Sequence, residues 1–205
     1  TLWYEYVPYD RLPYVYDPLE GFFQNCNSSP YLATGSKVDV SKPLPAWTGI
    51  ETHQTNRALR SLETFGVDSS ITREEFFEYK YDVEYSRESI IAGVRNKYLK
   101  EMEKKDIPDE LRPAIEMIKN WNLRVDSLNT DAAICILTLP NAFKLEDLKY
   151  DTGDVTEKLY ESISYLEKHF DRINVPWGRV VRLVRGKKSL PLSGGPGTIR
   201  AIYSK

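Results

Sequence analysis

The sequence lacks most of the residues from which self-contained catalytic and metal sites are built. Its 205 residues include two histidines, His53 and His169, and two cysteines, Cys26 and Cys135. The histidines fall on different predicted helices without a cysteine or carboxylate at ligand spacing, so we expect neither a metal site nor a cofactor. The cysteines lie far apart, and Cys135 is inside the apolar run AAICILTL, which favours free thiols over a disulfide.

An excess of charge of one sign is also missing. The 28 basic and 30 acidic residues give a formal charge of −2 and are spread along the chain. The basic run RLVRGKK, residues 182–188, is short and flanked by apolar residues, which predicts a solvated surface and no nucleic-acid partner. The glycine-rich SGGPGT at 193–198 lacks the lysine and the following helix of a phosphate loop. No apolar run approaches the length of a membrane span, and the start shows no signal-peptide pattern.

Proline and tyrosine are concentrated at the start of the chain. Six of the twelve prolines lie in the first 45 residues, interleaved with tyrosines and a tryptophan. Because proline fixes its own φ and favours an extended residue before it, residues 1–50 are predicted to form an extended arm with a short strand at 20–27. The aromatic side chains of this arm need a surface, which is either the rest of this chain or a partner outside it.

Residues 51–205 show helical periodicity and are predicted to form a helical domain. The clearest apolar stripe lies in DVTEKLYESISYLEKHFD and consists of Val155, Leu159, Ile163, Leu166 and Phe170. A second stripe follows positions 90, 91, 94, 98 and 102, and the segment 130–139 is apolar on all sides, which predicts a buried helix or, failing that, a strand. A glycine-rich turn and a strand at 198–203 are expected to end the domain. The predicted fold is therefore mainly α with a few short β-strands.

Two asparagines flank a cysteine in GFFQNCNSSPY, residues 21–31. In a strand Asn25 and Asn27 would share one face, and Pro30 would end the strand in a polar turn. One interpretation is that both amides cap this turn. The other is that one NH2 group points into a cleft as a donor to a developing oxyanion. The local pattern leaves both open.

Four segments in order resemble the large-chain interior of the penicillin acylase family. They are DPLEGFFQNCNSSPY, LPAWTGIETHQTNRALRSL, ITREEFFEYKYDVEYS and VPWGRVVRLVRGKKSLPLSGGPGTIRA. Within the family the likeness is greatest to the acyl-homoserine-lactone and aculeacin acylase branch. The resemblance covers about residues 10–203 and is weaker near 35–45 and 105–150. It implies an N-terminal-nucleophile hydrolase of αββα architecture, of which this chain would be part of the helical region.

The resemblance also implies roles for individual residues. In such enzymes a Ser, Cys or Thr at a newly formed amino terminus attacks an amide, with its own α-amine as base. An asparagine before the Ser-Pro turn helps to form the oxyanion hole, which corresponds to Asn27, with Asn25 in support. An arginine on the following helix orients that asparagine, which corresponds to Arg57 in TNRAL. The alternative for Arg57 is a surface charge on an amphipathic helix, and Arg60 shares its helix face.

The position of the nucleophile departs from the family pattern. It lies far upstream of the asparagine in the family, whereas 26 residues precede Asn27 here, and the segment that begins at Thr1 resembles the arm and not the start of the large chain. We therefore expect an internal piece of the large chain, inactive alone, whose partners are the remainder of the same precursor and a small-molecule acyl amide. The resemblance implies a periplasmic or secreted enzyme. The alternative function is a non-catalytic helical interaction module.

Overall fold

A computed structural model describes residues 6–12, 14–28, 33–34, 49, 55–139 and 152–202, and for 152–154 only the helical backbone. Within these residues the chain is mainly helical, with two short strands, as the sequence predicts. The division into an arm over 1–50 and a helical domain over 51–205 stays a prediction. No helix among the described residues is both long and apolar enough to cross a membrane.

The described part of the arm is irregular apart from one 3-10 turn, Tyr9–Arg11. The strand predicted at 20–27 is wrong, because no ladder forms there. The backbone has positive φ at Gly21 (72°) and Asn27 (56°), which bends the chain out of the extended conformation. A backbone hydrogen bond from Gln24 N–H to Ala33 O at 2.7 Å ties this segment to the residues that follow.

Two helices of eight residues come next, α1 (Asn56–Glu63) and α2 (Arg73–Lys80). Each begins with a threonine cap. Thr55 Oγ1 accepts from Ala58 N–H at 3.2 Å, and Thr72 and Glu75 form a reciprocal capping box. Only Ala58 of α1 is buried and no residue of α2 is, so these two helices lie on the surface.

The core is formed by four later helices, α3 (Ile90–Met102), α4 (Arg112–Asn120), α5 (Ala132–Thr138) and α6 (Thr152–Phe170), with a 3-10 turn at Asp109–Leu111. The segment predicted as a buried helix is α5, and Ala132, Ala133, Ile134 and Cys135 are buried in it. The stripe predicted on α6 also faces the core. Val155, Leu159 and Leu166 are buried, and Ile163 and Phe170 pack against them partly exposed.

The described chain ends in a short helix and a hairpin. Helix α7 (Trp177–Val180) leads into β1 (Arg182–Arg185), which pairs antiparallel with β2 (Lys188–Pro191) across a turn in which Gly186 has φ 56°. All eight strand residues are exposed, so the basic run is solvated as predicted but forms a hairpin that the sequence analysis did not predict.

The strand predicted at 198–203 is also wrong over its described residues, 198–202. Thr198 instead closes a turn on Gly195. Its Oγ1 accepts from Gly195 N–H at 3.0 Å and donates to Arg200 O at 2.8 Å. Ile202 N–H bonds back to Gly195 O at 3.2 Å, so the backbone curls around this glycine and makes no ladder.

Candidate functional site

The two asparagines form a tight local turn. Asn27 N–H donates to Asn25 Oδ1 at 3.2 Å, and Asn27 lies in the left-handed region with φ 56°. Asparagine tolerates this region better than most residues, because its short polar side chain bonds locally. Asn25 therefore holds the backbone of Asn27, and both side chains are exposed. Gln24 Nε2 supports the same turn by donating to Ser28 Oγ at 3.1 Å.

Arg57 of α1 contacts Asn27 directly. Its Nη2 donates to Asn27 Oδ1 at 2.9 Å, across 30 residues of sequence. A guanidinium has only donors, so the atom of the amide that faces it is the carbonyl oxygen. The Nδ2 group of Asn27 consequently does not face Arg57, and it donates to no acceptor within the described part of the chain. The structure thus brings together all three residues that the sequence singled out, Asn25, Asn27 and Arg57.

Arg60 is separated from this turn by its own ion pairs. Its Nη2 and Nε lie 2.7 and 3.2 Å from the two carboxylate oxygens of Asp82, and its Nη1 lies 2.8 Å from Glu63 Oε2. Burial by itself would lower the pKa of Arg60, but the bonds and charges of Asp82, Glu63 and Glu84 raise it above the usual value. Arg60 thus joins α1 to the segment around Asp82, while Arg57 alone of the two reaches Asn27.

Asn56 fixes the start of α1 and was missed by sequence reasoning. Its Nδ2 donates to Glu84 O at 3.1 Å and to Gly197 O at 3.0 Å, and its Oδ1 accepts from Ser86 N–H at 2.8 Å. A signal was present in the sequence. Thr55 is the N-cap of α1, so the amide of Asn56 is not needed to cap the helix and is free to bond to residues distant in the sequence.

Cys26 lies half-buried beside the same turn. Burial raises the pKa of its thiol, while the positive charge of Arg57 and a hydrogen bond with Ser61 act in the opposite direction. The net effect favours the neutral thiol, which is a poor nucleophile. The surroundings of Cys26 next to Asn27 therefore favour its neutral form.

The described residues around this turn do not form a metal-ligating cluster. Among the described residues no group of three or more His, Cys, Asp or Glu side chains converges to hold a metal ion. The groups that converge among the described residues are the amide of Asn27, the guanidinium of Arg57 and the thiol of Cys26, whose raised pKa favours its neutral form. Such a set can orient and donate hydrogen bonds, but it supplies neither a base nor a nucleophile of its own.

Comparison with protein families places this chain in a known class of hydrolase. The family model described as Penicillin amidase matches residues 1–204. The chain therefore belongs to the penicillin amidase family, and the parent enzyme of such a chain is an amidohydrolase. The resemblance that the sequence segments carry is confirmed at the level of the family.

Proposed function

We propose that this chain supplies one side of the oxyanion hole in a penicillin-acylase-like enzyme that hydrolyses linear amides. Asn27 is the donor, through Nδ2, and Arg57 is the positioning residue. The observation that carries the proposal is the 2.9 Å hydrogen bond from Arg57 Nη2 to Asn27 Oδ1. It holds the amide oxygen and so presents the NH2 group to a negatively charged oxygen.

The chemical role follows from the charge that develops during amide hydrolysis. Attack on the carbonyl carbon moves a pair of electrons onto the carbonyl oxygen, and a fixed donor stabilises that charge more than it stabilises the neutral substrate. The positive charge of Arg57 behind the Asn27 carbonyl polarises the amide further and makes Nδ2 a stronger donor. Asn25 contributes by holding the backbone of Asn27 through its 3.2 Å bond.

The nucleophile in this proposal is a Ser, Cys or Thr at an amino terminus created by processing, in the remainder of the same precursor. The substrate class is that of the acyl-homoserine-lactone and aculeacin acylase branch, linear amides of fatty or aromatic acids. We also propose that the enzyme is periplasmic or secreted. This chain alone should then release no acid from a chromogenic phenylacetyl or long-chain acyl amide.

Exposed aromatic residues support the same arrangement and also favour a second candidate function. Helix α2 buries none of its residues and exposes Phe76, Phe77 and, just after its end, Tyr81, while Tyr6 and Tyr16 of the arm are about nine-tenths exposed. Exposed apolar surface of this kind indicates an interface with another polypeptide segment or protein. In the enzyme, the remainder of the precursor would cover this aromatic surface. In the alternative, a non-catalytic interaction module, a separate protein would cover it. Acyl-amide hydrolysis by the assembled protein distinguishes the two functions.

The test is a pair of substitutions at one position of the processed enzyme. Asn27→Ala removes the donor, and Asn27→Asp keeps an oxygen for Arg57 but cannot donate. Both should lower kcat about 100- to 1000-fold with little change in KM, as loss of one oxyanion donor typically does. Asn25→Ala is the comparison and should act through stability, by about 1 kcal/mol, because it loses only the turn bond. Full kcat in a correctly processed Asn27→Ala enzyme would show that the asparagines merely cap the turn.

A further inference from the structure

A polar pocket of about 380 Å³ lies between the start of α3 and the end of α4. Its charged and amide side chains are Arg87, Arg95, Asn96 and Asn122, and none of the described residues that line it is acidic. Neither Asn27 nor Arg57 lines it, so it is distinct from the turn described above. Its volume is within the range of small-molecule sites.

The two arginines of this pocket carry charge that no described residue neutralises. Arg95 Nη1 and Nη2 donate to Trp121 O at 2.8 Å and Lys119 O at 3.4 Å, and its buried Nε has no hydrogen-bond partner. Capping the carbonyls at the end of α4 explains the position of Arg95 but gives its charge no counterion among the described residues. Arg87 is exposed and forms no hydrogen bond or ion pair with a described residue, including the adjacent Glu88.

The amide of Asn122 is fixed as a donor. Its Oδ1 accepts from Asn129 Nδ2 at 2.9 Å and from Arg124 N–H at 3.1 Å. With both lone pairs of the oxygen used, the Nδ2 hydrogens are what this side chain has left to offer a ligand.

The backbone of the pocket is held in an unfavourable conformation. Leu123 lies in the left-handed region with φ 64°, which costs a branched side chain about 1–2 kcal/mol. Its carbonyl accepts from Tyr85 N–H at 2.9 Å, which keeps the corner formed by Trp121, Asn122 and Leu123 in place. Strain of this kind persists where the surroundings require one shape of the chain.

We propose that this pocket binds a small oxyanion, the carboxylate or phosphate group of a small molecule, between Arg87, Arg95 and Asn122. Two guanidinium groups and an amide NH2 are matched to an acceptor with several oxygens, and bonds from arginine to such a group are charge-assisted. A neutral ligand would leave both charges uncompensated, and a cation would be repelled. The site is separate from the oxyanion hole proposed above, because neither Asn27 nor Arg57 lines the pocket.

The experiment is titration calorimetry on the protein that contains this chain, with inorganic phosphate and with succinate, in sodium chloride at constant ionic strength. Binding of either anion is expected, and Arg87→Gln should weaken it at least about 10-fold, which corresponds to roughly 1.4 kcal/mol. Arg87→Gln should fold normally, because the exposed side chain of Arg87 has no hydrogen-bond or ion-pair partner among the described residues. The matched control is Arg185→Gln, which removes the same charge from the exposed strand β1, outside the pocket.

Each outcome decides the proposal. Binding of phosphate alone, of succinate alone or of both, weakened by Arg87→Gln and unchanged by Arg185→Gln, supports it and identifies the preferred oxyanion. Charge reversal in Arg87→Glu should then abolish binding. The proposal is overturned if neither anion binds or if Arg87→Gln leaves binding unchanged. It is also overturned if Arg185→Gln weakens binding as much as Arg87→Gln, because a general surface field would then be responsible.

Discussion

The Nδ2 group of Asn56 donates a 3.0 Å hydrogen bond to the carbonyl oxygen of Gly197, 141 residues further along the chain. The same side chain also bonds to the backbone at Glu84 and Ser86. One amide therefore joins the start of α1 to two separate loops. Arg57 is the next residue, so the helix turn that presents its guanidinium to Asn27 is fixed by Asn56.

Asn56→Ala is expected to destabilise the protein by about 2 kcal/mol. The substitution removes three hydrogen bonds and leaves two carbonyls and one N–H of partly buried backbone without their partner. Chemical denaturation followed by circular dichroism measures the change. Asn120→Ala is the control, since Asn120 is exposed at the end of α4 and makes one long bond of 3.5 Å to Glu116. Equal stability losses in the two variants would contradict a joining role for Asn56.

Two glycines in helices should respond to alanine in opposite directions. A Cβ at Gly178 in α7 would lie 2.7 Å from Pro191 Cβ and 2.8 Å from Ser127 Cβ, so Gly178→Ala should cost about 1–3 kcal/mol through overpacking. A Cβ at Gly93 in α3 would meet nothing within 4 Å, so Gly93→Ala should stabilise by about 0.5–1 kcal/mol. Thermal unfolding of both variants checks the pair. A Gly178→Ala protein as stable as the parent would mean that α7 does not lie this close to Pro191 and Ser127.

The helices could be predicted from the sequence because their signals are local. The stripe on α6 and the apolar segment of α5 follow directly from spacing, and both are buried as expected. The contact between Arg57 and Asn27 could be anticipated only through the family resemblance. The periodicity of apolar residues does not predict a contact between side chains that are 30 positions apart in the sequence.

The strands were predicted poorly, because whether a segment forms a strand depends on the neighbouring strand with which it pairs. Residues 20–27 have aromatic strand formers, but the backbone at Asn27 is left-handed and no strand pairs with this segment within the described part of the chain. The hairpin β1–β2 is exposed on both faces, so it lacks the apolar and polar alternation by which strands are recognised. The glycine in its turn, Gly186, was the feature of the sequence that could have indicated a hairpin.

The pH dependence of Cys26 alkylation should report the position of Arg57 without any assay of activity. Burial raises the pKa of the Cys26 thiol and the charge of Arg57 opposes that rise, so Arg57→Gln should move the midpoint of the pH–rate profile with iodoacetamide to still higher pH. Cys135 is buried and should not react in the folded protein. Easier access to Cys26 in the variant would change the plateau rate and not the midpoint. An unchanged midpoint would place Arg57 away from Cys26.

A double-mutant cycle should show that Arg57 acts through Asn27. In the processed enzyme Arg57→Ala is expected to lower kcat by about 10-fold or more, less than Asn27→Ala, because an unheld amide still donates part of the time. In the Asn27→Ala background the same substitution should cost little more, since the group that Arg57 orients is already gone. Arg57→Lys should recover part of the loss, because lysine keeps a charged donor but not the planar geometry of the guanidinium. Independent, additive losses from Arg57→Ala and Asn27→Ala would mean that Arg57 contacts the reacting groups itself, and its 2.9 Å bond to Asn27 would then not be the basis of its effect.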